Sequence, residues 1–268
     1  MSLVASDSPL RSLPANLNPH QAMYLDGIRY SLDMAGIAYV RLRQGLFDID
    51  AFIPERKKDI YPMLFLDAWS MVDSLNRLRV LLGNFRGMKN TPDKRVFLDG
   101  LASFLALRNN IQHLDGTIKD VKAGEPAWGH LSWFHVDALS AEGEIVGGRS
   151  RLLVSGQVKD FSHNLVNPLG KPIQAGVDLV TLTAFGNVVS LSSAFYQIQD
   201  FAQTFDKTVK AGFEGSDQLS GATGSDLFVT AGMAFEPATT RAEPLQETSD
   251  AGGPDGVEPA TGQVKPSA

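Results

Sequence analysis

The sequence predicts an α+β protein: an N-terminal antiparallel helical bundle over residues 18–122, a small antiparallel β-sheet with a helix over 126–213, and an acidic low-complexity tail over 214–268. Three observations carry this. Apolar residues recur at spacings of three and four through the first stretch, the period of a helix with one buried face. The second stretch consists of short β-branched and aromatic runs punctuated by Gly, Pro and Asn. In the third, Gly, Ser, Thr, Pro and Ala dominate. Too little apolar surface remains there to offset the entropy of ordering, so disorder is expected from Glu236 onward.

Asn18-Pro19 is a start signal for the first helix, whose apolar stripe is Leu25, Ile28, Leu32, Ala35, Tyr39 and Leu42. A loop with Pro54 and the charged "ERKKD" should follow, and the second helix opens near Asp59 with Pro62 in its first turn. Its inward positions are Leu66, Trp69, Val72, Leu75, Leu78 and Leu82. Thr91 caps a third long helix over 93–122, with Pro92 as its first residue. Phe97, Leu101, Phe104, Ile111, Leu114, Ile118 and Val121 continue its stripe until Gly124-Glu125-Pro126. Short links between long helices make antiparallel neighbours the expected packing.

"AWGHLSWFHVD", "GEIVGGRSRLLVSGQV", "IQAGVDLVTLTA" and "NVVSL" then read as strands of an antiparallel sheet, with a tight turn at Phe185-Gly186-Asn187. Helical spacing returns through Phe195, Ile198, Phe201, Ala202, Phe205 and Val209, capped by Ser192 or Ser193. Within the tail, "DLFVTAGMAF" (226–235) is apolar enough to be a docking segment.

The formal net charge is −6, but it is unevenly spread. From Glu214 onward there are nine acidic and two basic residues, a net of −7, which leaves +1 for the rest of the chain. The overall charge is therefore set by the tail and says little about what the body binds. No Cys is present, which excludes disulfides, thiolate metal sites and Cys nucleophiles. The N-terminus has no basic start followed by a long apolar run, so no secretory signal is expected and a cytoplasmic location is the reading. The longest uncharged run, 179–199, is broken by Thr, Gly, Asn, Ser and Gln. It reads as a hairpin plus a helix start, with no membrane span expected.

The unusual stretch is "FLALRNNIQHLDG" (104–116). From Gly100 to Leu114 the only full charge is Arg108, beside two Asn, a Gln and a His. A solvated helix face carries Lys and Glu, and a core helix is apolar all round. On a helical wheel of about 100° per residue, His113 falls opposite the apolar centre, with Ala102, Ala106, Asn109 and Asn110 near it. Such a small, uncharged face permits close approach of another backbone, so a homodimer through helix 93–122 is expected.

"RNNIQH" resembles the signature of the HEPN superfamily of small helical-bundle proteins, in which an Arg and a following polar residue precede a His. The match is Arg108, Asn109 and His113. The resemblance implies an RNA-binding or metal-independent RNA-cleaving protein with a composite site between two protomers. Arg108 would hold the scissile phosphate, His113 would act as general acid or base, and Asn109 would orient the His or a phosphate oxygen. It implies no cofactor and no metal, with RNA and an antitoxin-type protein as partners. The fourth helix of the bundle would come from residues 193–211.

The alternative is a non-catalytic protein-interaction or ligand-sensing module. Arg108 then pairs across the bundle, with Asp73 as a candidate partner, and His113 is a satisfied interface residue. Asp73 and Arg77 also suit an i,i+4 pair. Other features are weaker. His130 and His135 fall on opposite faces of an ideal strand, which disfavours joint metal ligation. Trp128, Trp133 and Phe134 have the chemistry to stack on a ligand but fit a core equally. His163 reads as a loop residue, and "GEIVGGRS" lacks the Lys-Ser/Thr of a phosphate loop. Arg77, Arg79, Arg86, Lys89, Lys94 and Arg95 form a basic cluster suited to phosphate or simply to solvent.

Overall fold

A computed structural model describes residues 2–51, 54–120, 126–156, 165–216, 219–223 and 226–230. Residues Met1–Leu227 form one compact unit and Phe228–Ala268 a second. The expected disorder beyond Glu236, the helix end at 121–125 and His163 lie outside the described residues.

Helix α1 (Pro19–Phe47) starts as its sequence dictates. The Asn18 side chain accepts from the His20 and Gln21 N–H groups, and Pro19 occupies the first turn, where no amide partner is lost. Its stripe Leu25, Ile28, Leu32, Ala35, Tyr39 and Leu42 is buried throughout. Helix α2 (Pro54–Asn84) runs back along it. A Cβ on Gly45 would lie 2.6 Å from Leu64 at the start of α2, and one on Gly27 would lie 3.1 Å from Leu81 near its end. The two helices are thus antiparallel and in close contact at both ends.

Helix α2 differs from expectation at its start. It begins at Pro54, so Pro62 lies in the helix interior. Pro62 and Lys58 are both exposed, so the carbonyl left without its amide partner is on the solvent side. Leu66 is also exposed, while Trp69, Val72, Leu75, Leu78 and Leu82 point inward as expected.

The third helix is not one rod. It divides into α3 (Pro92–Gly100), α4 (Ala102–Gln112) and α5 (Leu114–Asp120). Thr91 caps α3 through the Lys94 N–H. After Gly100, a poor helix former, Leu101 sits at φ −91° and ψ −1°, at the edge of the helical region, and the helix gives way to a turn. The break gives the pieces separate aims. Phe97 stacks on Phe201 at 4.2 Å, while Leu101, Phe104 and Leu107 enter the main core. A second break falls at His113 (φ −112°, ψ 37°). Ile118, expected on the apolar stripe, is exposed as a result.

The sheet has the strand order β2-β1-β3-β4, all antiparallel, with β1 (His130–Leu139), β2 (Ile145–Val154), β3 (Val177–Ala184) and β4 (Asn187–Ser190). Phe185 (φ 52°) and Gly186 (φ 70°) form the β3–β4 turn with positive φ at both central positions, the signature of a tight hairpin turn. Between β1 and β3, Ser132 pairs with Thr181 and Phe134 with Asp178, so Trp133 of β1 faces both Leu179 and Val180 of β3. Leu179 at this bulge has φ 54°, a left-handed conformation costing a side-chain-bearing residue about 1–2 kcal/mol.

Helix α6 (Leu191–Glu214) follows β4 directly. Its cap is Ser190, which accepts from the Ser193 N–H, whereas Ser192 is turned inward and buried. The buried residues of α1, α2, α4, the sheet and α6 form one continuous core.

The N-terminal segment also packs onto this body. The Leu3 and Val4 N–H groups donate to Asp33, which also holds Arg11 at 2.7 Å. Residues 219–223 run beside it: the Ala15 N–H donates to the Ser220 carbonyl at 3.2 Å, and the Thr223 N–H donates to the Leu13 carbonyl at 2.9 Å.

Candidate functional site

The motif residues of α4 do not converge. Arg108 faces α2, where its Nε lies 3.7 Å from Asp73 Oδ1, too far for a hydrogen bond. Asp73 is already engaged by Arg77 at 2.7 Å, the expected i,i+4 pair. Arg108 and Asp73 are 32% and 34% exposed, so their attraction is largely screened and contributes about 0–1 kcal/mol. The Arg108 Nε itself is buried with no hydrogen-bond partner among the described residues. Asn109 and His113 are exposed with Ala102 and Ala106, on the other side of the helix. The His113 N–H donates to the Asn109 carbonyl at 3.2 Å where α4 ends. Ala102, Ala106, Asn109 and His113 thus share one exposed face of α4.

The other sequence candidates are mostly structural. Trp133 and Phe134 belong to the interior; of the aromatic trio only Trp128 is exposed, and its carbonyl accepts from Trp69 Nε1 at 3.3 Å. Arg149 of "GGRS" is paired with Asp137 at 2.8 Å. In the basic cluster, the Arg79 Nε donates to the Leu98 carbonyl and Lys94 is buried, so these two serve helix packing. His130 is buried and His135 stacks on Phe47 at 5.5 Å. Burial first, and then the Arg151 charge, hold the His135 imidazole below its ordinary pKa.

A site that sequence reasoning missed lies where α1, β3 and α6 meet. Asp178 is only 1% exposed, yet its carboxylate is fully engaged. It accepts from the Gln174 N–H at 2.7 Å, the Leu179 N–H at 2.7 Å and the Tyr196 hydroxyl at 3.0 Å. The left-handed turn at Leu179 accompanies this: its N–H reaches the carboxylate of the preceding residue. Nearby, Ser192 Oγ accepts from the Val180 N–H at 2.8 Å and shares a hydrogen bond of 2.8 Å with the buried Tyr39 hydroxyl. Tyr39 stacks on Phe195 at 4.3 Å.

Arg43 closes one side. Its Nε and Nη2 each donate at 2.6 Å to the Val177 and Ala175 carbonyls. Among the described residues no carboxylate lies within ion-pair distance of it. Burial, then the neighbouring Tyr39 and Asp178, push the Tyr196 hydroxyl well above the ordinary phenol range. It is a neutral donor at any physiological pH. Over this network opens a cleft of about 470 Å³ lined by Tyr39, Arg43, Phe47, Gln174, Tyr196 and Gln199. The available signal was the lone Asp in the apolar run "GVDLVTL": a carboxylate there must either face solvent or be fully bonded.

A third polar cluster joins α1 to the segment after α6. Arg29, 3% exposed, contacts Asp26 at 2.9 Å and Asp226 at 2.8 Å, and the Tyr30 hydroxyl donates to Asp226 at 2.5 Å. "DLFVTAGMAF" thus docks by its first residue; Leu227 is 90% exposed, and 231–235 lie outside the described residues. Arg29, then Tyr30, hold the Asp226 carboxyl down to about 2.

Among the described residues no helix is long and apolar enough to cross a membrane, and no three His, Asp or Glu side chains gather in a way that would hold a metal ion. The chain matches no family model, and no curated protein or solved structure is detectably similar to it.

Proposed function

We propose that the chain is a non-catalytic interaction module that self-associates through the exposed face of α4, with Arg108 serving the α2–α4 seam. The observation that supports this is the divergence of the motif: Arg108 points at Asp73 on α2, and Asn109 and His113 lie with Ala102 and Ala106 on one exposed face. Small side chains let two backbones approach, and uncharged polar groups can exchange hydrogen bonds across such a contact. Arg108 is turned toward α2 and away from the face that carries Asn109 and His113, so the three do not converge on one phosphate within a protomer.

Light scattering tests the association. The wild type should be a dimer at about 50 μM, a concentration well above the dissociation constant of a specific interface. Ala106→Arg, which puts an unpaired charge in the contact, should be monomeric with its helical signal retained. A monomeric wild type would refute the proposal.

A second reading is RNA cleavage at a site shared by two protomers, and the exposure of Asn109 and His113 on one face is what favours it. It requires that the wild type cut labelled single-stranded RNA in EDTA, leaving 2′,3′-cyclic phosphate ends, and that His113→Ala abolish this with little change in melting temperature. The interaction reading expects no cleavage from either protein.

A further inference from the structure

We infer that the cleft between α1, β3 and α6 is a binding site for a small aromatic carboxylate. This does not rest on the α4 reading, since the cleft involves neither α4 nor a second copy.

The cleft's volume of about 470 Å³ falls in the range that small organic ligands occupy. Its walls divide by chemistry. Phe47, 47% exposed at the end of α1, and the ring of Tyr196 on α6 provide flat apolar surface. Gln174 and Gln199 add side-chain amides to the rim. Charge selects among aromatic ligands. The one anion of the network, Asp178, is sealed below the surface, with both oxygens occupied. From the cleft, the accessible charge is therefore the Arg43 guanidinium. Two of its nitrogens are fixed by the Val177 and Ala175 carbonyls, which hold the plane in place without neutralising it. Among the described residues Nη1 meets no acceptor, and it is left for a ligand oxygen.

A guanidinium oriented before binding, beside aromatic surface, recognises a carboxylate on a planar ring through a charge-assisted hydrogen bond plus stacking. Preorganisation matters here because little rotamer entropy remains to be lost. The neutral Tyr196 hydroxyl, tied as donor to Asp178, adds no negative charge to repel such a ligand.

Saturation-transfer NMR on the full chain, with 2-naphthoate and the neutral 2-naphthalenemethanol as probes, tests this. Naphthoate should bind the wild type at least about tenfold more tightly than the alcohol, the worth of one charge-assisted hydrogen bond. Phe47→Ala, which removes a half-exposed ring, should weaken both probes. Arg43→Gln should weaken naphthoate by a larger factor than the alcohol. Because Arg43 also holds two backbone carbonyls, Gln199→Glu serves as the second variant: it places an anion in the wall, keeps Arg43 and should repel naphthoate selectively. Equal affinity of the wild type for the two probes, no binding of naphthoate, or naphthoate binding undisturbed by Gln199→Glu would each overturn the inference.

Discussion

Arg108 and Asp178 are both charged side chains set between secondary-structure elements, and they are held in opposite ways. Arg108 is one-third exposed, reaches Asp73 only at 3.7 Å and leaves its buried Nε unbonded. Asp178 is sealed from water, and three donors from two elements and a connecting segment converge on it. The first arrangement is loose and screened, so either partner can be lost and resolvated cheaply. The second is closed, so loss of the anion strands three donors in the interior. A polar motif that stands out in a sequence need not be the polar group on which the fold depends.

The largest effect should come from breaking the closed network. Asp178→Ala leaves the Gln174 and Leu179 N–H groups and the Tyr196 hydroxyl without an acceptor, and should cost about 3 kcal/mol in urea unfolding. Leu179 should feel it too, because its left-handed backbone would then lack its hydrogen bond to the carboxylate. The looser seam should give much less: Arg108→Ala and Asp73→Asn should each cost about 1 kcal/mol or less, and a double-mutant cycle should show weak coupling. A larger loss at Arg108 than at Asp178 would invert the comparison.

The Arg29–Asp226 contact sharpens it, with a buried cation facing an exposed anion. The Asp226 carboxyl sits near 2 in the folded protein against an ordinary 3.8. A depressed pKa means the contribution is present above the unfolded value and lost as pH falls toward the folded one. The wild type should therefore be more stable than Asp226→Asn at pH 5, and the difference should vanish on approaching pH 2. Urea midpoints of the two proteins across that range measure it. A difference that persisted at the acid end would show that the contact is not governed by the carboxylate.

What the sequence made legible follows from how local each feature is. The α1 stripe, the Asn18 and Thr91 caps and the Phe185-Gly186 turn are written in neighbouring residues and are found as read. The Asp73–Arg77 pair is equally local, and Asp73 was reachable as a partner for Arg108 because both fall on long helical stretches. The breaks at Leu101 and His113 were not legible. Periodicity continues through them, and only the need to place Phe97 against α6 and Leu101 in the common core turns the chain. The inward turn of Ser192, which left the cap to Ser190, has the same origin: its hydroxyl is claimed by Val180 and Tyr39, distant in sequence. The cleft was hidden for that reason too, since α1, β3 and α6 meet only in three dimensions.

The contacts made by residues 206 and 226 have a consequence for the order of events at synthesis. Asp206 meets Ser8, and Asp226 meets Arg29, across 198 and 197 residues of chain. At about 5–20 residues per second, a nascent chain needs on the order of tens of seconds to make that stretch. During this interval α1 and α2 are already available to pair, while the guanidinium that ends up beneath Asp226 has Asp26 as its partner. The final ion pair therefore closes late, after the sheet and α6 have been made. Until then Asp26 alone balances the Arg29 guanidinium, and the second carboxylate and the Tyr30 contact that residue 226 supplies are still to be made.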